Sequence, residues 1–257
     1  MFFQIAAYLK FLWNSSNQHG VHSPFMFGLV TKCFYNKTKF PEYQQLKNYR
    51  KSLLENPDTI AVTDFGAGSK IFKSNKRAIA KIAKTAGIAA RNAELLFRVV
   101  RYFEPESILE IGTSVGLATS ALSLGNTKTK ITTLEGCPET SRTAQTNFRK
   151  FGLENVEFVV SEFSAALSHL RLSTFDFVYF DGNHQKDATL QYFDMLLPTI
   201  TNDSVWIFDD IHWSEEMEQA WETIKKNPRV TVTIDTFQWG FVFFRKEQEK
   251  EHFVIRA

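Results

Sequence analysis

The sequence predicts a doubly wound α/β fold: a mostly parallel sheet, an antiparallel C-terminal edge hairpin and an N-terminal helical cap. Three observations support this class. Strand-like and helix-like segments alternate from Ser107 onward, a glycine-rich loop follows the first of those strands, and two strand-like runs come near the end of the chain. Strands that alternate with helices of about 10 to 15 residues are typical of βαβ units, in which helices cover both faces of a parallel sheet.

The elements follow one another regularly after Ser107. The strand-like segments are SILEIG, KITTLEG, VEFVV, FDFVYFDG and SVWIFDD. The helix-like segments are GLATSALSLG, PETSRTAQTNFRKFG, SAALSHL, ATLQYFDMLLP and EEMEQAWETIKKN. The runs RVTVTIDTF and WGFVFFRK are joined by a short turn at Gln238, which predicts a hairpin. Whether the run HFVIR forms a further short strand is left open by the sequence.

The first 100 residues lack this alternation and are predicted to be mostly helical. Apolar residues recur at helical spacing from Ile79 to Phe103, which predicts two helices broken near Gly87. We therefore expect a cap or substrate region over residues 1–100 and a cofactor-binding catalytic domain over residues 101–257.

Composition indicates an ordinary globular protein of the cytoplasm. The 257 residues are 44% hydrophobic, which is ample for a buried core. Cys33 and Cys137 are too few for a disulfide framework, and this favours a reducing compartment. The N-terminal segment MFFQIAAYLKFLWN is shorter than the ~20 residues that span a bilayer and lacks a signal-peptide pattern. Packing of this segment on protein is favoured, while contact with a membrane surface stays open.

A basic segment covers Ser69 to Arg101. It contains nine basic residues and one acid, a balance of +8 in a chain whose net charge is +2. A solvated helix face is the favoured interpretation, and a collar for an anionic partner is the alternative. Nucleic acid is disfavoured, because no aromatic side chains interleave the charges.

Two glycine loops compete for a nucleotide-like cofactor, TDFGAGSK at 63–70 and LEIGTSVG at 109–116. Such a site needs a strand before the loop, a helix after it and an acid some 20 residues further on. LEIGTSVG meets all three conditions, since Glu135 ends the next strand. TDFGAGSK has no such acid, so we predict a structural turn there, with a lid over the acceptor as the alternative.

The pattern Glu110-x-Gly112-x-x-x-Gly116 with Glu135 resembles motif I and the ribose-binding acid of class I S-adenosylmethionine-dependent methyltransferases. Together with FVYFDGNH and WIFDDIHW it is similar to the metal-dependent, catechol O-methyltransferase-like branch of that class. The resemblance covers about residues 100–245 and implies a Rossmann-like sheet of seven strands. Ser114 departs from the middle glycine of many members. The cofactor contacts implied are Glu110, Gly112, Thr113, Ser114, Gly116, Glu135, Gly136, Glu162 and Asp181. At Glu162 the sequence VSEF departs from the glycine-aspartate-alanine of many members.

Three acids follow two of the predicted strands: Asp181 closes one, and Asp209 and Asp210 close another. Open α/β sheets bind ligands at the carboxyl ends of their strands. Clustered carboxylates suit Mg²⁺, Mn²⁺ or Ca²⁺, and in the resembled branch the matching positions bind such a metal. Helix capping by the aspartates is the alternative.

His184 lies three residues after Asp181, where the catechol enzymes carry a lysine that takes the hydroxyl proton. Some sugar O-methyltransferases of the branch have histidine there, so His184 is the predicted general base, with Asp181 beside it. His212 is an alternative base or pocket residue, and Trp213 and Trp239 are weaker candidates for walling the substrate. Asn183 cannot act as a base.

These observations predict a metal-assisted O-methyltransferase that uses S-adenosyl-L-methionine, Mg²⁺ (or Mn²⁺ or Ca²⁺) and a small-molecule acceptor. The alternatives are a metal-independent N- or C-methyltransferase, a binding protein without turnover and, third, an NAD-dependent oxidoreductase. A homodimer through the aromatic N-terminal helix is left open.

Overall fold

The computed structural model describes residues 2–63, 75–170 and 174–257. It divides the chain into two compact units, Asn36–Ala166 and the combination of Met1–Tyr35 with Leu167–Ala257. The loop TDFGAGSK lies outside the described residues from Asp64 onward, so its two interpretations stay predictions. The division into a cap over 1–100 and a catalytic domain over 101–257 also stays a prediction.

Helices and strands alternate along most of the chain. The α-helices are α1 (Phe2–Asn14), α2 (Pro24–Leu29), α3 (Glu42–Leu54), α4 (Ile79–Thr85), α5 (Ala90–Phe103), α6 (Leu117–Gly125), α7 (Pro138–Phe151), α8 (Phe163–Leu170), α9 (Lys186–Leu196) and α10 (Glu215–Lys226). The strands are β1 (Thr59–Ala61), β2 (Lys76–Ala78), β3 (Ser107–Ile111), β4 (Lys130–Glu135), β5 (Val156–Val160), β6 (Phe177–Phe180), β7 (Val205–Asp209), β8 (Val232–Asp235), β9 (Trp239–Phe243) and β10 (Glu251–Val254). Short 3₁₀ turns occur at Gln18–Gly20 and Leu197–Thr199, and Val30–Phe34 is π-helical. None of the helices within the described ranges is long and apolar enough to cross a membrane.

The unit Asn36–Ala166 contains the strands β3, β4 and β5, which pair in that order and run parallel. Four of the five residues of β3 are buried, which suits a strand covered on both faces. The helices α4 and α5 confirm the predicted break near Gly87. The short antiparallel pair of β1 and β2 is an exception to the mostly helical pattern expected for the first 100 residues.

The basic segment belongs in part to this unit. Arg98 donates to the hydroxyl of Tyr43, and the guanidinium of Arg101 lies 5.0 Å from the ring centre of Phe40. At least these two cations therefore contact aromatic side chains of the same unit. Lys70 and Lys73 lie outside the described residues.

The other unit contains strands in the order β6-β7-β9-β8-β10. The pairs β6–β7 and β8–β10 are parallel, whereas β9 is antiparallel to both β7 and β8. Every residue of β6, β7 and β9 is buried. The hairpin predicted around Gln238 is formed by β8 and β9, and the run HFVIR contributes β10 outside β8.

Eight of the described strands form one mostly parallel sheet with helices on its faces. This confirms the predicted α/β fold class. The sheet has eight strands rather than the seven implied by the resemblance, because β10 extends it.

Candidate active site

The loop between β3 and α6 is bent by three residues with positive φ: Gly112 at 106°, Ser114 at 49° and Gly116 at 81°. Its first two amides, of Gly112 and Thr113, both donate to the carbonyl oxygen of Leu134, at 3.0 and 3.1 Å. The left-handed backbone conformation is one that glycine adopts without steric penalty. The loop is thereby tied to the end of β4.

Glu135 at the end of β4 is bound to this loop. Its Oε2 accepts a hydrogen bond from the Ser114 amide at 2.7 Å, and its Oε1 accepts one from the Cys137 amide at 2.8 Å. Burial raises the pKa of the Glu135 carboxyl, and backbone donors, including the amide of Gly136, oppose that rise. The structure thus brings Ser114, Glu135 and Gly136 together, and their contact with a cofactor stays a prediction. A carboxylate oxygen has more than one lone pair, so acceptor capacity remains for a ligand hydroxyl.

Glu110 is an internal group of the same unit and is fully buried. Its Oε2 accepts hydrogen bonds from the hydroxyls of Thr119 and Thr133, at 2.6 and 2.5 Å, while its Oε1 is buried without a hydrogen-bond partner. Burial raises the pKa of Glu110 to about 7. The hydroxyl of Thr113 lies 2.5 Å from that of Thr133 and joins this network. Glu110 and Thr113 therefore brace the loop from within.

The carboxylate of Glu162 caps the N-terminus of α8, the helix that follows it. Its two oxygens accept from the amides of Ser164 and Ala165 at 3.0 and 2.9 Å, which is an N-terminal capping interaction with α8. The cofactor contact that the resemblance implies for Glu162 stays a prediction.

In the other unit, the acids Asp181, Asp209 and Asp210 lie where the sequence predicts, at the ends of β6 and β7. The pairing of Phe180 with Phe208 in parallel register brings the two strand ends level. Burial raises the pKa of Asp209, and the carboxyl of Asp181 lies close enough that its charge raises that pKa further. These three residues form the acidic cluster.

Gln238 connects the two adjacent acids of this cluster. Its Nε2 donates to Asp209 Oδ1 at 2.9 Å and to Asp210 Oδ1 at 2.5 Å. The β7–β9 register pairs Asp209 with Trp239, so the preceding residue, Gln238, falls level with Asp210. Asp210 has a positive φ of 55°, and its amide donates to Asp209 Oδ1 at 2.9 Å. One neutral amide group therefore holds both carboxylates.

His184 lies beside the cluster. Its Nε2 is 3.5 Å from Asp181 Oδ1. Asn183 and His184 are consecutive residues with positive φ, at 72° and 42°. Such conformations are uncommon outside glycine and cluster at functional sites. The turn presents the imidazole to the predicted acid partner.

The charges of the cluster shift one another's ionisation. Burial, and then the charge of Asp181, raise the pKa of Asp209 to about 8. Burial and the charge of Asp209 raise the pKa of Asp210 to about 6. For His184, burial lowers the pKa, but the bonded and charged Asp181 outweighs it and raises the value to about 9. In this arrangement His184 is protonated at neutral pH and balances part of the acidic charge.

The alternative base is engaged elsewhere. His212 Nε2 lies 2.8 Å from Asp235 Oδ2, and its ring stacks on Phe237 with centres 5.3 Å apart. Trp239 is a core residue, only 1% exposed, so it does not wall a substrate as the weaker expectation had it. Trp213 is 38% exposed.

Metal ligation is not preassembled in the described part of the chain, where no group of three or more His, Cys, Asp and Glu side chains has the arrangement of a metal site. Asp209 and Asp210 instead face the amide of Gln238. Sequence reasoning missed Gln238, because its relation to the acids depends on β9 inserting beside β7. The sequence position of Gln238 indicates a contact with the acids only when the pairing of β9 with β7 is known.

Comparison with known proteins places this geometry in a class. Residues 109–211 match the family model described as a methyltransferase domain. No curated protein matches the chain significantly.

Solved structures share the fold. A methyltransferase from Podospora anserina with bound S-adenosylhomocysteine is 17% identical, with 88% of this chain and 97% of that chain covered and a TM-score of 0.61. An O-methyltransferase from Bacillus cereus in complex with S-adenosylhomocysteine is 18% identical, with 82% and 95% covered and a TM-score of 0.55. The O-methyltransferase TomG from Streptomyces achromogenes, in complex with S-adenosylmethionine, is 16% identical, with 84% and 95% covered and a TM-score of 0.56.

The match over residues 109–211 and the shared fold confirm the class that the motifs LEIGTSVG, FVYFDGNH and WIFDDIHW predict. Residues 109–211 carry a methyltransferase domain, and the chain shares the fold of methyltransferases that bind S-adenosylmethionine or S-adenosylhomocysteine.

Proposed function

We propose that this enzyme is an O-methyltransferase that acts on a hydroxyl group of a small molecule with the assistance of a divalent cation. The observation that carries the proposal is the acidic cluster at the ends of β6 and β7, with the imidazole of His184 beside it. O-methyltransferases are among the proteins that share this fold, which supports oxygen as the methyl acceptor.

The cofactor would be held by the β3–α6 loop. Gly112 and Gly116 allow the backbone to approach a ligand closely, and Glu135 offers acceptors to ribose hydroxyls. The side chains and amides that we propose for this site are Glu110, Gly112, Thr113, Ser114, Gly116, Glu135, Gly136, Glu162 and Asp181. S-adenosylmethionine supplies a methyl group on a positively charged sulfur.

His184 is the proposed general base. Its Nε2 accepts the proton of the acceptor hydroxyl, and the oxygen then forms a bond to the methyl carbon. The carbon–sulfur bond breaks with its electron pair on the sulfur. An imidazole must be neutral to accept a proton, whereas the surrounding carboxylates keep His184 protonated at neutral pH. Its function as a base therefore requires that the negative charge of the cluster be neutralised.

The donor set suits a hard divalent cation. Asp181, Asp209 and Asp210 are the residues that would hold it, and their pKa values are raised first by burial and then by the charges of neighbouring acids. The nearby Asn183 Oδ1 is buried without a hydrogen-bond partner. Carboxylate and amide oxygens are the ligands that Mg²⁺ and Ca²⁺ prefer. When bound, the cation would lower the pKa of a substrate hydroxyl and orient its oxygen.

A metal-independent methyltransferase acting on nitrogen or carbon is the second candidate. The observation that favours it is the internal charge balance, in which protonated His184 and the amide of Gln238 partly compensate the acids.

Calorimetry and turnover together test the proposal. We expect the purified chain to bind S-adenosylhomocysteine. When it is given S-adenosylmethionine together with a diphenol or sugar acceptor, it should produce S-adenosylhomocysteine. EDTA should abolish that turnover, and Mg²⁺ should restore it. Turnover that survives complete metal removal contradicts the metal, and absence of binding to either cofactor form contradicts the whole function.

A further inference from the structure

We propose that Tyr49, on α3, is a positioning residue for the cofactor loop, so that the chain before the matched domain contributes to cofactor affinity. The inference rests on the proposed binding of S-adenosylmethionine. It adds a residue that lies 60 positions before the start of the family match at residue 109.

The contact joins α3 directly to the loop. The hydroxyl of Tyr49 donates to the carbonyl oxygen of Val115 at 3.0 Å, and Val115 stands between the left-handed residues Ser114 and Gly116. Tyr49 is 1% exposed and Val115 is fully buried, so water does not replace this donor. Burial and the charge of Glu110 raise the pKa of Tyr49 well above 10, and the hydroxyl keeps its proton at any physiological pH.

The ring of Tyr49 is held from the other side by α7. It lies edge-on to Phe148 with centres 5.6 Å apart and tilted against Phe151 at 5.3 Å. These contacts leave the hydroxyl little freedom to turn away from the loop.

Tyr49 also packs closely against Gly116 of the loop. A Cβ on Gly116 would lie 2.5 Å from the Tyr49 hydroxyl oxygen and 2.9 Å from Phe148. Tyr49 therefore occupies the space that any other residue at position 116 would need, and the loop conformation and the tyrosine are mutually dependent.

Removal of the hydroxyl would leave the Val115 carbonyl buried without a partner, which costs about 1–3 kcal/mol. The loop can escape this cost by relaxing, and the free energy of restoring its shape then opposes cofactor binding. Once the cofactor is bound, the loop is ordered again and the chemical step is unaffected.

Tyr49→Phe tests the inference, with Tyr43→Phe as the matched control. Tyr43 lies on the same helix and is 8% exposed, but its hydroxyl accepts from Arg98 of α5 at 3.0 Å. We expect calorimetry to show about tenfold weaker binding of S-adenosylhomocysteine by Tyr49→Phe. The KM for S-adenosylmethionine should rise by a similar factor with kcat within about twofold, because only loop ordering is lost. Tyr43→Phe should keep the affinity of the wild type.

Equal affinities of the wild type and Tyr49→Phe would overturn the inference, and so would an equal loss in Tyr43→Phe. If Tyr49→Phe fails to fold, Phe151→Leu, which loosens the ring without removing the hydroxyl, should weaken binding about two- to threefold; unchanged binding there also overturns it. Failure of the wild type itself to bind S-adenosylhomocysteine would remove the proposed function, and that outcome is distinguishable because it does not involve a variant.

Discussion

The imidazole of His184 lies 3.5 Å from the carboxylate of Asp181, measured from Nε2 to Oδ1. The pair sits on a turn with two consecutive left-handed residues, and burial together with the charge of Asp181 raises the pKa of Asp209. A base and three acids are thus linked, and the proposed chemistry depends on how their charges are balanced.

Replacing the base should lower turnover without weakening cofactor binding. General bases contribute about 10²- to 10⁴-fold, so His184→Asn should lower kcat by about that range and leave the Kd for S-adenosylhomocysteine within about twofold. His252, whose Nδ1 lies 2.8 Å from Thr233 Oγ1 on β8, provides the control His252→Asn with full turnover. A larger loss for His212→Asn than for His184→Asn would show that the base is assigned wrongly.

The cation-free protein should lose stability as pH rises from about 6.5 to about 9. His184 and Asp209 have folded pKa values raised to about 9 and about 8, above their ordinary values of 6.5 and 3.8. The folded state therefore holds protons that the unfolded state has released, and the free energy of unfolding falls with pH. Thermal unfolding of the wild type and His184→Asn at pH 6.5 and pH 9 measures this effect. A variant whose melting temperature depends on pH as steeply as the wild type would refute it.

Gln238→Met should weaken cation binding. The substitution keeps the length of the side chain but removes the donor that holds Asp209 and Asp210, and loss of such a supporting contact typically costs 10- to 100-fold in metal affinity. Titration with Mn²⁺ followed by electron paramagnetic resonance measures the affinity without turnover. Gln219→Met, at an exposed position of α10 where the amide oxygen accepts from Lys186, is the control. Equal Mn²⁺ affinity in both variants would show that Gln238 does not position the acids.

Glu135→Gln should weaken S-adenosylhomocysteine binding by about tenfold or more, because hydrogen bonds to a charged acceptor contribute about 1.5–3 kcal/mol. Glu139→Gln, on the surface of α7 and paired with Arg142, should leave binding unchanged. Calorimetry compares the two. Retained affinity in Glu135→Gln would argue against its contact with the ribose.

Gly116→Ala should destabilise the fold more than Gly152→Ala. Both glycines have a positive φ, at 81° and 66°, but a Cβ at Gly152 meets nothing within 4 Å, whereas one at Gly116 clashes with Tyr49. The expected losses in unfolding free energy are about 1 kcal/mol at Gly152 and about 2 kcal/mol or more at Gly116. Denaturant unfolding checks the difference, and equal losses would show that the loop tolerates a side chain.

The sequence predicts the class of fold because its signals are local. The spacing of apolar residues in SILEIG or PETSRTAQTNFRKFG depends on neighbours within a few positions, and the structure forms β3 and α7 from those runs. The positions of the three acids are predictable for the same reason. Each acid comes directly after or at the end of a buried strand, and parallel strands end at one side of a sheet.

The sequence alone determined the βαβ order, the choice of LEIGTSVG over TDFGAGSK as the predicted cofactor loop, and the placement of Asp181, Asp209 and Asp210 at strand ends. Only the tertiary structure decided that β9 inserts beside β7 and brings Gln238 to the acids, and that α3 brings Tyr49 to the loop. Both contacts join residues 28 or more positions apart. Burial and strand pairing select such partners, and no periodicity along the chain encodes them.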